Sequence, residues 1–326
     1  MATVEDAEGA RKKKPSAGEV DLISGLDDDV LLRILALVPD AKDAARAAAL
    51  SRQWRRLWMR VPTLRFVCRP LPRAASGAAS PRKAPAPTTM EFTSLRDLSL
   101  KKIRIEYGGG ARFFAHLVSS ANCPHLRKVH MATVRFPNFN AEMRLEADAH
   151  ALSELWLEDI SVVSLELRTP SLRVLLIDKV YHKVLKISAP GLEELTLFFR
   201  QGCSPRRGIE IDGDLPCVRI LKLYMWSYHT PAAHYGDPIG TNAVNMLILS
   251  RCSSITCLDV TLDGPEVFPE DVEIIKSRVP NLPHITSLTI NVSMSFEWRN
   301  FGVGVANLLT RFTNLKRLSL HLPFPL

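Results

Sequence analysis

Apolar residues recur along this chain in a short pattern, L-x-x-L-x-L, with aliphatic groups at offsets 0, +3 and +5 and mostly polar or small residues between. It occurs at Leu95-Leu98-Leu100, Leu126-Val129-Met131, Leu152-Leu155-Leu157, Leu172-Leu175-Ile177 and Leu192-Leu195-Leu197. It continues at Val218-Leu221-Leu223, Ile255-Leu258-Val260, Ile285-Leu288-Ile290 and Leu315-Leu318-Leu320. The nine units start 31, 26, 20, 20, 26, 37, 30 and 30 residues apart, spacings at which a chain stacks as a solenoid. Alternation with period two predicts a short strand in each unit, its aliphatic side chains pointing into a stacked core. Successive strands then form a curved parallel sheet. The long units return through helical stretches at Ala111 to Ser120, Asn242 to Ser250, Pro269 to Arg278 and Val303 to Phe312, whereas the two 20-residue units return through extended VVSLELRTP and HKVLKISAP.

Ahead of the repeats the period changes to that of helices. Asp27, Asp28 and Asp29 suit a helix N-terminus, where carboxylates complement free N–H groups. Val30, Leu31, Ile34, Leu35 and Val38 follow at i, i+1, i+4, i+5 and i+8, and Pro39 ends the helix. A second helix is expected from Asp43 to Leu50, and a third, capped by Ser51, holding Trp54, Leu57 and Trp58. Some 45 residues with this many large apolar groups cannot hide them all, so a partner surface is expected. Between the two regions, Pro70 to Thr89 is built of Pro, Ala, Ser and a few cations and reads as an extended linker.

Composition narrows the class. Over 326 residues, 46% apolar and 23% charged side chains exclude wholesale disorder. The charged N-terminus and the lack of any 18-residue apolar run argue against a secretory signal or membrane span, so an intracellular protein, nuclear or cytoplasmic, is expected. The net charge of +8 invites a nucleic-acid reading. Residues 44 to 90, however, carry ten cations and no carboxylate, while residues 91 to 326 carry 26 cations against 24 carboxylates, so the excess is local. Arg52, Arg55, Arg56 and Arg60 could meet phosphate, but the interleaved Trp54 and Trp58 suit packing better than base stacking. Arg11 to Lys14 alone is weak as a nuclear address.

Six cysteines (Cys68, Cys123, Cys203, Cys217, Cys252 and Cys257) form no CxxC pair, which favours buried, reduced thiols over disulfides or zinc. No phosphate loop, nucleophile elbow, HExxH helix or dinucleotide fingerprint occurs. No enzyme activity and no cofactor are expected.

The stretch from Asp21 to Phe66, DLISGLDDDVLLRILALVPDAKDAARAAALSRQWRRLWMRVPTLRF, resembles a plant F-box. Asp27 stands where such segments usually have Pro after the leading leucine. The triplets resemble the irregular leucine-rich repeats that accompany plant F-boxes, though no Asn or Cys follows each triplet, so other side chains or water are expected to satisfy the turn. The fold implied is α+β: a three-helix F-box (residues 20–66) after a disordered tail (1–19), then a linker (67–91) and a leucine-rich-repeat solenoid (92–326) with a parallel concave sheet. The polar capping unit of a solenoid is missing after the last triplet; either the chain is a shortened form or Pro323 and Pro325 discourage edge pairing.

The resemblance implies a substrate receptor of an SCF-type cullin-RING ubiquitin ligase, bound through a Skp-type adaptor to the cullin and RING subunits and presenting a client protein. The alternative is a ligase-independent repeat scaffold with a degenerate F-box. By motif position the adaptor-binding residues are Leu26, Asp27, Asp28, Val30, Leu31, Ile34, Leu35, Val38, Leu50, Trp54, Leu57 and Trp58, some of which must instead pack the F-box's own core. In the repeats, offsets +2, +4 and +6 face the concave side. Trp156, Val174, Leu176, Phe198, Ile220 and Tyr224 occupy such offsets and are the client-binding candidates, rimmed by Glu154, Glu158, Asp178 and Glu194. Irregular strands could equally twist some of them into the core.

Overall fold

The computed structural model describes residues 26–38, 57–67, 92–103, 118–135, 142–145, 150–162, 164–180, 184–198, 209–211, 213–226, 238–263, 281–292, 305–306 and 308–322. Helix α1 spans Asp28–Leu37, a 3-10 turn Trp58–Arg60, and helix α2 Pro238–Arg251. In chain order the strands begin with β1 (Thr63–Val67), β2 (Asp97–Lys101), β3 (Lys128–Ala132), β4 (Glu142–Leu145), β5 (Glu154–Glu158), β6 (Ser164–Arg168) and β7 (Val174–Asp178). They continue with β8 (Val184–Ser188), β9 (Glu194–Phe198), β10 (Ile209–Ile211), β11 (Ile220–Trp226), β12 (Cys257–Asp263), β13 (Ser287–Val292) and β14 (Arg317–His321).

Offsets +3 and +5 of all nine triplets lie on strands of one ten-stranded sheet, offset 0 falling just before each strand; the order is β1-β2-β3-β5-β7-β9-β11-β12-β13-β14, with every neighbouring pair parallel. Register aligns offset +3 of each unit with offset +3 of the next, so Leu98, Val129, Leu155, Leu175, Leu195, Leu221, Leu258 and Leu288 form one inward row. These residues are at most 2% exposed. The tenth strand is β1, whose Leu64 and Phe66 pair with Leu98 and Leu100. Sequence reading assigns Thr63 to Phe66 to the end of the F-box segment and Val67 to the linker; in the structure they form the first strand of the sheet. Leu31, Leu35, Leu57 and Val61 belong to the same apolar cluster as the repeats.

The extended returns are borne out. VVSLELRTP and HKVLKISAP hold β6 and β8, which join β4 and β10 in a second parallel sheet ordered β10-β8-β6-β4. The helix expected at Asn242 to Ser250 starts earlier, at Pro238, a residue suited to a first helical turn. Residues 305–306 and 308–309 are helical, as is 118, whereas Pro269 to Arg278 lies outside the described residues. Of the expected three-helix F-box, α1 and the 3-10 turn are described; Leu50, Trp54 and the Asp43 to Leu50 helix lie outside the described residues.

In the turns after the first four repeat strands the main chain takes up much of what an asparagine would supply. At offset +7 four non-glycine residues, Lys102, Thr133, Asp159 and Lys179, adopt left-handed φ of 54°, 55°, 50° and 52°. Each donates its N–H to the last carbonyl of the next strand: Ala132 at 2.8 Å, Glu158 at 2.9 Å, Asp178 at 2.9 Å and Phe198 at 3.1 Å. At the opposite end, one carbonyl per unit accepts two N–H groups from the next, as Arg96 O does from Arg127 and Lys128. Backbone groups thus satisfy one another across units, and side chains join them as expected: Arg135 donates to the Asp159 carbonyl at 2.8 Å, and the Ser153 hydroxyl donates to the Arg127 carbonyl at 3.2 Å. The left-handed residue also swings the chain into the core, burying Val134, Ile160 and Val180 at offset +8.

Where units are shortest the turns pack hardest. A Cβ on Gly191 would lie 2.9 Å from the carbonyl oxygen of Pro170 in the preceding unit. Gly191→Ala is expected to force these turns apart and to lower stability by about 1–3 kcal/mol, read as a fall in the urea midpoint. An unchanged midpoint would show that the turns separate without cost.

Candidate functional site

Helix α1 is capped by Asp27, whose side chain accepts from the Asp28 N–H at 2.9 Å and whose carbonyl accepts from Val30 and Leu31. The Asp that departs from the usual Pro thus makes a good helix start. Pro39 ends the helix because the residue before a proline avoids helical backbone, and Val38 is extended at φ −67° and ψ 119°. Arg60 of the 3-10 turn pairs with Asp28 at 3.4 Å, both side chains about half exposed.

The structure divides the apolar residues that the sequence left mixed. Leu31, Leu35 and Leu57 are 0%, 3% and 1% exposed, so they are among the motif residues that pack the core. Val30, Ile34 and Leu37 are 42%, 40% and 82% exposed and lie at i, i+4 and i+7 on one face. Leu37 was missed by motif reading. Its signal was present, since it continues the spacing of Val30 and Ile34 while Leu31 and Leu35 mark the stripe beside them. Leu26 and Val38 are partly buried against the core, Asp27 is exposed and Asp28 intermediate. Trp58 lies in the 3-10 turn, its side chain outside what is described.

Three outward rows cross the concave sheet. The first runs Thr63, Asp97, Lys128, Glu154, Val174, Glu194, Ile220, and the second Arg65, Ser99, His130, Trp156, Leu176, Thr196, Lys222, Asp259. The third begins Val67, Lys101, Ala132, Glu158, Asp178, Phe198. Trp156 and Leu176 are direct neighbours, Trp156 being 39% exposed and Leu176 partly so. Val174 and Phe198 are partly exposed and Ile220 is 37% exposed.

Two expectations are corrected here. Tyr224 has outward parity but is only 3% exposed. It sits in the C-terminal half of the seven-residue β11, where Leu223, Tyr224 and Met225 are all buried and strict alternation breaks down. The carboxylates, moreover, do not rim an apolar patch; they interleave with it, Val174 lying between Glu154 and Glu194, and Asp178 between Glu158 and Phe198. Side chains on neighbouring strands answer them: the ammonium of Lys128 reaches Glu154 at 2.8 Å, that of Lys222 reaches Glu194 at 2.7 Å, and His130 Nε2 lies 3.1 Å from Glu158. The hydrogen bond and charge of Glu154 push the Lys128 ammonium above its ordinary value. His130 also meets Trp156 edge to face, ring centroids 5.4 Å apart. Further along, burial pushes the Asp259 carboxyl up, opposed by Lys222, His321 and the amide of Asn291, which donates at 2.6 Å.

Comparison with known proteins can now be weighed against this geometry. No family model matches the chain. A protein named as an FBD-associated F-box protein of Arabidopsis thaliana is 24% identical over 242 residues, covering 55% of this chain and 57% of that protein. A second of that name is 53% identical over 45 residues, 14% of this chain and 10% of its own length. One named as an F-box/FBD/LRR-repeat protein, from the same plant, is 46% identical over 52 residues, 16% of this chain and 11% of that one. The chain is similar in part to plant F-box proteins. The matches span 57% or less of these relatives' own length.

The described thiols are not uniform. Cys123 and Cys252 are buried and unpaired, and burial pushes them up to about 11 and about 12, which keeps them protonated and unreactive near neutral pH. Cys217 is exposed and Cys257 intermediate, so the expectation of buried cysteines holds for only two of the four described. Among the described residues, no group of three or more His, Cys, Asp or Glu side chains could hold a metal ion, and no helix is long and apolar enough to cross a membrane.

Proposed function

We propose that this chain is the substrate-recognition subunit of an SCF-type cullin-RING ubiquitin ligase. The observation that carries the reading is the exposed stripe of Val30, Ile34 and Leu37 on a helix whose neighbouring stripe, Leu31 and Leu35, is buried in the apolar core. A Skp-type adaptor covers that stripe and links the chain to cullin and RING subunits. The concave sheet holds the client through Trp156, Leu176 and their neighbours Val174, Phe198 and Ile220. The chain performs no chemistry; it raises the effective concentration of a client lysine beside the charged ubiquitin carrier. The ligase-independent scaffold reading rests on Asp27 in place of Pro; that Asp27 caps α1 supports an F-box whose first helix is intact.

The test is co-expression of the full chain with a plant Skp-type adaptor and a cullin. One complex containing all three proteins is expected on gel filtration. Separate elution of the chain from an otherwise assembled adaptor and cullin refutes the assignment.

A further inference from the structure

A cavity of about 470 Å³ opens on the concave face over β1, β2, β3 and β5. Its volume is in the range of specific ligand sites. Most of its polar lining is already partnered within the sheet. Lys128 binds Glu154 at 2.8 Å, the Thr63 hydroxyl donates to Asp97 at 3.5 Å, and His130 contacts Glu158 and Trp156. Arg65 and Lys101 line the same cavity and, among the described residues, make no side-chain hydrogen bond or ion pair.

The register fixes their spacing. Arg65 lies opposite Ser99, and Lys101 is two residues further along β2, so the two cations sit on a diagonal of about 7–8 Å between backbones. Trp156 shares the row of Arg65 three strands away, roughly 14 Å at ordinary strand spacing. An extended peptide advances about 3.3 Å per residue, so that gap is crossed in about four residues. Beyond Trp156 the surface carries Glu158, Asp178 and Glu194, of which Glu194 pairs with Lys222, and this carboxylate-bearing stretch suits a segment whose negative charge is confined to one end better than a polyanion such as nucleic acid.

Resting on the reading of the concave face as the client surface, we infer that this cavity takes an acidic segment of the partner protein, crossing the strands. Two adjacent carboxylates pair with Arg65 and Lys101, and an aromatic side chain about four residues on packs against Trp156 and His130. The ten-cation stretch of residues 44 to 90 thereby has one member, Arg65, aimed at a partner.

The probes are fluorescein-labelled peptides Glu-Glu-Gly-Gly-Gly-Trp and Lys-Lys-Gly-Gly-Gly-Trp, titrated by anisotropy against the full chain bound to its adaptor. The acidic peptide is expected to bind at least tenfold tighter, and to weaken as salt is raised through the screening of exposed charges. Arg65→Glu with Lys101→Glu should remove at least tenfold of that affinity, and Trp156→Ser should weaken it independently. Equal binding of the two peptides, no binding of the acidic one, or acidic-peptide affinity unmoved by the Arg65 and Lys101 changes overturns the proposal. The wider reading fails separately, if client ubiquitination by the assembled complex is unchanged by Trp156→Ser with Phe198→Ser.

Discussion

The full chain carrying Ile34→Asp and Leu37→Asp is expected to lose its Skp-type adaptor while keeping its fold. Both positions are exposed, at 40% and 82%, so neither substitution removes a contact of the core. On docking, each wild-type side chain would bury apolar surface worth about 1.5–3 kcal/mol when fully covered. The variant forgoes that and places two carboxylates where water must be expelled. A loss of about 3 kcal/mol or more is a loss of more than a hundredfold in affinity, enough to abolish co-purification. Leu31→Ala is the instructive contrast. Leu31 is fully buried, so its truncation should destabilise by about 2–5 kcal/mol and any loss of adaptor would follow from damage to α1. The pair is read by adaptor pull-down beside circular dichroism: an intact spectrum with no adaptor is expected for Ile34→Asp, Leu37→Asp. Retention of the adaptor there sinks the assignment of this face.

The second large effect concerns the ladder. Leu175 is fully buried on β7, between Leu155 of β5 and Leu195 of β9 in the same inward row. Leu175→Ala leaves a cavity that neighbouring units cannot close without shifting their own register, and a loss of about 2–5 kcal/mol is expected. Because each repeat touches only its neighbours, the fault should separate the solenoid into two weaker cooperative blocks. Leu318 occupies the same row on β14 yet is 47% exposed, and Leu320 is 44% exposed. Leu318→Ala should therefore cost under about 1 kcal/mol, as a partly solvated side chain has little transfer energy to lose. Urea denaturation of both variants checks this. Equal midpoints would mean that β14 is packed as tightly as β7 in solution.

Much of this was legible from the chain itself. Offsets +3 and +5 named the inward-pointing residues of nine strands, since a strand alternates sides, and offset 0 the apolar residue of the turn before each, since aliphatic groups leave water wherever a neighbour can cover them. The extended returns of the short units were equally plain, because 20 residues leave no room for a helix after a strand and two turns. The +8 position, with Val134, Ile160 and Val180 buried, could have been read as a fourth core offset and was not. The turn at +7 could not: Lys102, Thr133, Asp159 and Lys179 share no side-chain chemistry, and only their common backbone conformation and cross-unit hydrogen bonds unite them.

Sequence alone determined what repeats and which side of each strand seeks the core, because both follow from local periodicity. It equally located the helix start at the aspartates and its stop at Pro39. Tertiary structure alone decided which apolar residues remain uncovered. Leu31 and Ile34 are equally apolar on the same helix, and one is fully buried while the other is 40% exposed because only one stripe of α1 meets the core. It likewise decided that Arg65 faces a cavity shared with Trp156, some ninety residues away in sequence, since strand register brings distant residues together and register is a property of the stacked sheet.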